Sequence, residues 1–335
     1  MASQILALIY TGIKGEEMKI KKISRGISED FAKRIAENES LQKIYNKGEN
    51  EIIWGIRNDY VNLYYNSDSI ARISPSLNCK INEYYFTGES SSKVITKTPQ
   101  EILDSLKTIK GNSKTRETDE KKAQQKLFML NNSNLESNWY CVDIEYAKAY
   151  QNIGERNGAK FSPRFDIIAI SKAKPHRVAI IELKYGKGSY VGVSGIKKHI
   201  QDFCKFQNEG HYNDLFKQEM INIIVSLKAI GTNVPDCFNG IKVKDFCQKP
   251  EFYFITLDNN ADDGASAPKQ TCGGYLFENN AKWGSKRFSK NNVEKEFGDI
   301  TLETNEKLYV KFLFSKQTIR NLTINDIIDG AYDKD

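Results

Sequence analysis

Histidine is scarce in this sequence: 335 residues hold only His176, His199 and His211, and no HNH-like or His-rich site is evident. The six cysteines, Cys79, Cys141, Cys204, Cys237, Cys247 and Cys272, form no Cys-x-x-Cys pair, which excludes zinc-ribbon spacing. Cys141 and Cys204 fall in apolar patterns and read as core residues, and the whole set fits a reduced, cytoplasmic setting. No Gly-x-x-x-x-Gly-Lys-Ser/Thr loop is present to cradle a nucleotide's phosphates. Long apolar runs are missing too. Nothing approaches the roughly 20 residues of a membrane span, and Ile5–Tyr10 is too short and lacks the basic leader of a secretion signal.

Apolar and charged residues make up 39% and 27% of the chain, ordinary for a globular protein. The length exceeds one typical domain and predicts two, or one core with large additions. A net charge of +6 permits a nucleic-acid partner without requiring one.

Two apolar strands and a helix form the centre of the pattern. Phe165–Ile170 and Val178–Lys184 are unbroken enough to predict strands covered on both faces, and a helix follows from Ser194 with Ile196, Ile200, Phe203 and Cys204 at helical spacing. Charge is costly in such strands unless it is paired or bound to a cation, yet Asp166, Glu182 and Lys184 lie in or at the ends of them. Alternation puts Glu182 and Lys184 on one face and Leu183 on the other. An ion pair of Glu182 with Lys184, or of Asp166 with Arg164, is the structural alternative.

An Asp, then an apolar strand carrying Glu-x-Lys, then a helix resembles the PD-(D/E)xK phosphodiesterase superfamily, the fold of many restriction enzymes, junction resolvases and repair nucleases. The resemblance covers about 60 residues when Glu145 is included. It implies a restriction-endonuclease-like α/β core, α+β overall, in which helices flank a mixed central sheet. It implies Mg²⁺, for which Mn²⁺ can substitute, held by Asp166, Glu182, the Leu183 carbonyl and an upstream acid. That acid is Glu145, with Asp143 and Glu120 as competitors. It further implies that Lys184 orients the attacking water, and that a residue of the following helix, here Gln201, reaches the site. One branch of the superfamily has Tyr four residues after that Gln; this chain has Lys205 there. The implied function is endonucleolytic cleavage of nucleic acid, DNA first, in defence against phage or in a mobile element, with a homodimer as one mode of action. The rival is a nuclease-like fold that only binds nucleic acid or protein.

Residues 1–115 read as an N-terminal α+β module and 116–335 as the nuclease-like domain with added C-terminal strands. Met18–Lys22 reads as a start, with upstream residues as an extension. Ser28 is expected to cap a helix carrying Phe31, Ile35, Leu41 and Ile44. Ile52–Arg57, Tyr60–Tyr65 and Ser69–Ile73 predict a three-strand meander whose tyrosines cover a small sheet, with base stacking as the other use. Asn82–Phe86 is expected to add a strand, and Thr98–Lys110 a helix with Pro99 in its first turn. Lys110–Lys122 reads as a linker or the start of a solvated helix, and Trp139–Tyr146 as a strand. Ile221–Val225 fits either a strand or a buried helix, and Glu251–Leu257, Cys272–Phe277 and Lys307–Phe314 read as strands around a loop at Asp258–Gln270. Nucleic-acid contacts are expected from Lys187, from Lys197, Lys198 and Lys205 along the helix, and from Trp283, Lys286 and Arg287, where cations alternate with aromatics, with a solvated hairpin tip as the alternative there. His199 is expected to pack or cap, with phosphate contact as the alternative.

Overall fold

The computed structural model describes residues 24–46, 51–115, 119–151, 160–185, 196–257, 282–283, 286–287, 299–301, 307–314 and 323–328. The expectations for Met1–Lys22, Lys187, Ser194, Asp258–Gln270 and Cys272–Phe277 lie outside these residues.

The chain begins with helices α1 (Glu29–Ala36) and α2 (Glu39–Tyr45), whose Phe31, Ile35, Leu41 and Ile44 are all fully buried. Ser28 stands at the cap of α1, but its side chain makes no capping bond; instead its backbone N–H donates to Asp59. The meander follows as β1 (Ile53–Ile56), β2 (Val61–Tyr65) and β3 (Asp68–Ile73), all antiparallel. Its tyrosines belong to the sheet: Tyr64 and Tyr65 are buried, and Tyr60 lies under the Arg72 guanidinium at 3.6 Å.

The first sheet has five strands rather than three, because β4 (Cys79–Asn82) and β5 (Val94–Lys97) extend it. The strand expected over Asn82–Phe86 is a correction. Asn82 Oδ1 accepts the Tyr84 N–H at 2.9 Å and turns the chain into a single helical turn, α3 (Tyr84–Thr87). That turn ends at Gly88, whose φ of +76° suits a residue without Cβ.

The helix expected over Thr98–Lys110 divides at Ser105 into α4 (Pro99–Asp104) and α5 (Leu106–Lys114). Thr98 and Glu101 form a reciprocal capping box at its start. The polar stretch beyond Lys110 completes α5 and, after three residues outside the described set, enters α6 (Asp119–Ser133).

The second sheet is mixed. Strand β6 (Trp139–Ala147) leads through the short β7 (Tyr150–Gln151) and β8 (Lys160–Phe161) to β9 (Arg164–Ser171) and β10 (Val178–Tyr185). β9 lies between β6 and β10 and pairs antiparallel to each. Helix α7 (Ile196–Asn208) and helix α8 (Lys217–Ala229) then carry the chain to β11 (Glu251–Leu257), which pairs parallel to β10. The undecided segment Ile221–Val225 is thus helical. Met220, Ile221, Ile223, Ile224 and Leu227 are buried around most of α8, so no single apolar stripe marks it in the sequence. A two-residue hairpin, β12 (Lys282–Trp283) and β13 (Lys286–Arg287), stands apart from the sheet. β14 (Asp299–Thr301) and β15 (Lys307–Phe314) complete the order β14-β15-β11-β10-β9-β6, and α9 (Ile324–Ile328) closes the described chain.

Both faces of the mixed sheet are covered. Ile168, Ile170, Val178, Ile180, Phe252 and Phe254 pack with Phe203 of α7 and Ile223 of α8. The alternate residues, among them Ile167, Ala169, Ala179, Ile181 and Leu183, pack with Leu127 of α6 and Ile324 of α9. The first of these cores continues without a break to Phe31, Ile52 and Leu63, so the five-stranded sheet and the mixed sheet share buried surface. Among the described residues no helix is long and apolar enough to cross a membrane.

Candidate active site

Pairing brings the three acids of the sequence pattern onto neighbouring strands. Ile181 of β10 faces Ile167 of β9, so Asp166 and Glu182 follow next on either side. There Asp166 turns its carboxylate onto β10 and accepts the Leu183 N–H at 2.8 Å, beside Glu182. Gln124 of α6 fixes the same residue from behind, donating to the Asp166 carbonyl at 2.8 Å. On the other flank, Ile144 pairs with Ile167 and Tyr146 with Phe165, which brackets Glu145 opposite Asp166.

Glu182 is almost completely buried. Its Oε1 lies 2.9 Å from His199 Nε2, and the two side chains are 2% and 12% exposed. The partner is therefore on α7. His199 precedes Phe203 by four residues and shares its stripe toward the sheet, where its ring meets Phe254 edge-on. The buried-packing reading of His199 and the charge in the strand are thus one contact. Gln201, two residues on, is turned by about 200° around the helix axis and is exposed. The residue of α7 that reaches the acid is His199, and Gln201 is not brought to Glu182.

Glu145 has left-handed backbone, φ +51°, and its carboxylate accepts from Arg164 at 2.9 Å. Arg164 thus pairs with Glu145, not with Asp166. Replacing Glu145 by Gly is expected to leave the melting temperature unchanged or slightly raised. Relief of about 1–2 kcal/mol of left-handed strain outweighs a Gly entropy cost of about 0.5–1 kcal/mol and the small contribution of an ion pair whose Arg164 end is exposed. A thermal melt showing a loss above about 2 kcal/mol would refute this.

Asp143, the competing upstream acid, is fully committed elsewhere. Arg57 reaches one of its oxygens at 2.7 Å and Arg25 the other at 3.2 Å, all within the interior. Arg57 also donates to the Ile144 carbonyl at 2.7 Å and the Tyr64 hydroxyl at 2.9 Å. Burial works against the Arg57 charge, yet Asp143 and Tyr64 hold its pKa above the ordinary value. Glu120 sits half-buried in α6.

The far end of β6 is tied to α8. Glu219 accepts from the Tyr146 hydroxyl at 2.7 Å and bonds Lys148 and Ser24 with its other oxygen. Sequence reasoning missed Arg25, Arg57 and Glu219, because partners so far apart in the chain leave no local pattern; His199 had the signal of a polar residue inside an apolar stripe.

The remaining expected residues are spread out. Lys184 continues β10 and pairs with Thr256 of β11. On α7, whose backbone includes Lys197, Lys198 pairs with Asp202 and Lys205 with Glu209 at 3.7 Å, each one turn on. Lys205 also lies 5.3 Å above the Phe161 ring. In the hairpin, Trp283 pairs with Lys286 and Lys282 with Arg287.

Among the described residues no three His, Cys, Asp or Glu side chains converge as a preformed metal cage. The donor chemistry nonetheless fits a hard cation. Mg²⁺ is normally held by one or two carboxylates together with water and phosphate oxygens, and Asp166, bonded to the Leu183 N–H, and Glu182, the preceding residue on β10, are both carboxylates. In comparisons with known proteins, the chain matches no family model, no curated protein and no solved structure.

Proposed function

We propose that this chain is a Mg²⁺-dependent phosphodiesterase that cuts nucleic acid, DNA first, on a restriction-endonuclease-like core. The observation that carries the reading is the docking of the Asp166 carboxylate on the Leu183 N–H, next to the buried Glu182. An acid of β9 and an acid of β10 are thereby brought to one place in an apolar frame, which packing alone does not require. The order α6, antiparallel β6-β9-β10, α7, parallel β11 supports the same reading.

Asp166 and Glu182 would hold the cation, with Glu145 as the third acid and the Leu183 carbonyl completing the set. When bound, the cation supplies Lewis-acid polarisation of the phosphate and a more acidic water. His199 holds one oxygen of Glu182 and so fixes the direction of the other. In this reading Lys184 orients the attacking water and stabilises the charge that builds on the phosphoryl oxygens. The cations of α7 and of the Lys282–Arg287 hairpin are the phosphate contacts proposed for the strand being cut.

Supercoiled plasmid, single-stranded DNA and RNA incubated with the protein in Mg²⁺, Mn²⁺ or EDTA test this directly. Cutting is expected with either metal and not with EDTA, and Lys184→Ala is expected to slow it by about a hundredfold or more. Cutting that survives EDTA would overturn the site. Salt-sensitive binding without cutting would favour the binding-module reading.

A further inference from the structure

Protein interiors are packed nearly as densely as organic crystals and leave few voids larger than a water. A cavity of about 120 Å³ lies where β1, α6, β6 and the end of α8 meet. An apolar cavity of roughly 150 Å³ takes up benzene, so this one has the size of a single ring. Tyr45 and Trp54 form one wall, meeting edge-on with centroids 5.9 Å apart, and Tyr140 and Cys141 of β6 lie in the floor. Asn132 stands at the rim, held by two bonds to the Cys141 backbone at 2.8 and 2.9 Å, and Ser133 and Asn233 are exposed at the opening.

Two features define an occupant. Among the described residues no Asp, Glu, Lys, Arg or His lines the cavity, so neither a phosphate nor a carboxylate finds a counter-charge in that lining. The indole N–H of Trp54, buried in the wall, has no acceptor among the described residues, a group that in a native structure calls for a partner. The geometry points to a binding site for an uncharged, single-ring aromatic molecule carrying a hydrogen-bond acceptor. It is separate from the carboxylates of β9 and β10, lies in the seam between the two sheets, and does not depend on the chain being a nuclease.

Phenol and benzoate are matched probes, equal in ring size and opposite in charge state at neutral pH. Titrated into the full chain and followed by ligand-observed NMR and tryptophan fluorescence, phenol is expected to bind saturably with a Kd on the order of 1 mM. Benzoate is expected to bind at least about tenfold more weakly. Ser133→Trp, which fills the opening from an exposed position, is expected to abolish phenol binding with the fold retained by circular dichroism. Met129→Trp fills the same space from α6 and serves if the first variant does not fold. Equal binding of the two probes, no saturable binding of phenol, or unchanged binding in a folded filler variant would overturn the assignment.

Discussion

Glu182→Ala is expected to abolish metal-dependent cleavage, by about a thousandfold or more, with the protein still folded. The carboxylate is one of the two that would hold the cation, and electrostatic stabilisation of the phosphoryl group is the larger part of such catalysis. The stability effect runs the other way from that of most buried charges. Glu182 sits at 2% exposure against His199, and removing it takes a costly charge out of an apolar frame. The melting temperature is therefore expected to hold or to rise as activity vanishes, the pattern of a site maintained for function at the expense of stability. Measuring cleavage and thermal unfolding on one preparation decides it. Residual cutting within tenfold of wild type would remove Glu182 from the site, whatever the melt shows.

Asp143→Ala is expected to have the largest effect on folding. It leaves Arg25 and Arg57 in the interior without their shared carboxylate. Breaking a buried pair from one side costs about 3–5 kcal/mol, because the remaining charge is uncompensated; two guanidinium groups are orphaned here. Chemical denaturation should show the loss as a lower midpoint at unchanged slope. The contrast with Glu145→Gly is informative, since the two acids stand two residues apart on one strand. One locks the strand to the N-terminal elements, and the other faces Asp166 at its bend. A loss below about 1 kcal/mol for Asp143→Ala would mean that the ion cluster contributes little net energy.

How much of this was legible in the sequence follows from the range of the interactions. Val178–Lys184 and Glu251–Leu257 read as strands because buried strands are unbroken apolar runs, and they are β10 and β11 with at most one residue of difference. The Asp166–Glu182 neighbourhood was legible too, since one antiparallel register between consecutive strands sets it. The short strands β4 and β5 were not, because four residues are too short a run for their alternation to stand out from chance. Asp143 and Glu145 looked alike in sequence, two acids at strand spacing. Only partners 86 and 118 positions away from Asp143 separate their roles. Residue type alone favours Gln201 over His199, whereas the stripe His199–Phe203 carries the geometry.

The docking of the first described residues on α8 has a consequence for the order of folding. Asn222 donates to the Ser24 carbonyl across 198 positions, and the Ile27 N–H donates to Ser226 across 199. Closing so long a loop is entropically slow and comes after local contacts have formed. During synthesis, residues 24–27 leave the ribosome long before α8 exists, so their bonds to α8 must wait, while their contacts with Asn58 and Asp59 and the meander of β6, β9 and β10 can already form. The strand that carries Glu145 would then assemble before Ser24 and Glu219 are joined, and the acids would reach their final alignment only after α8 has been made.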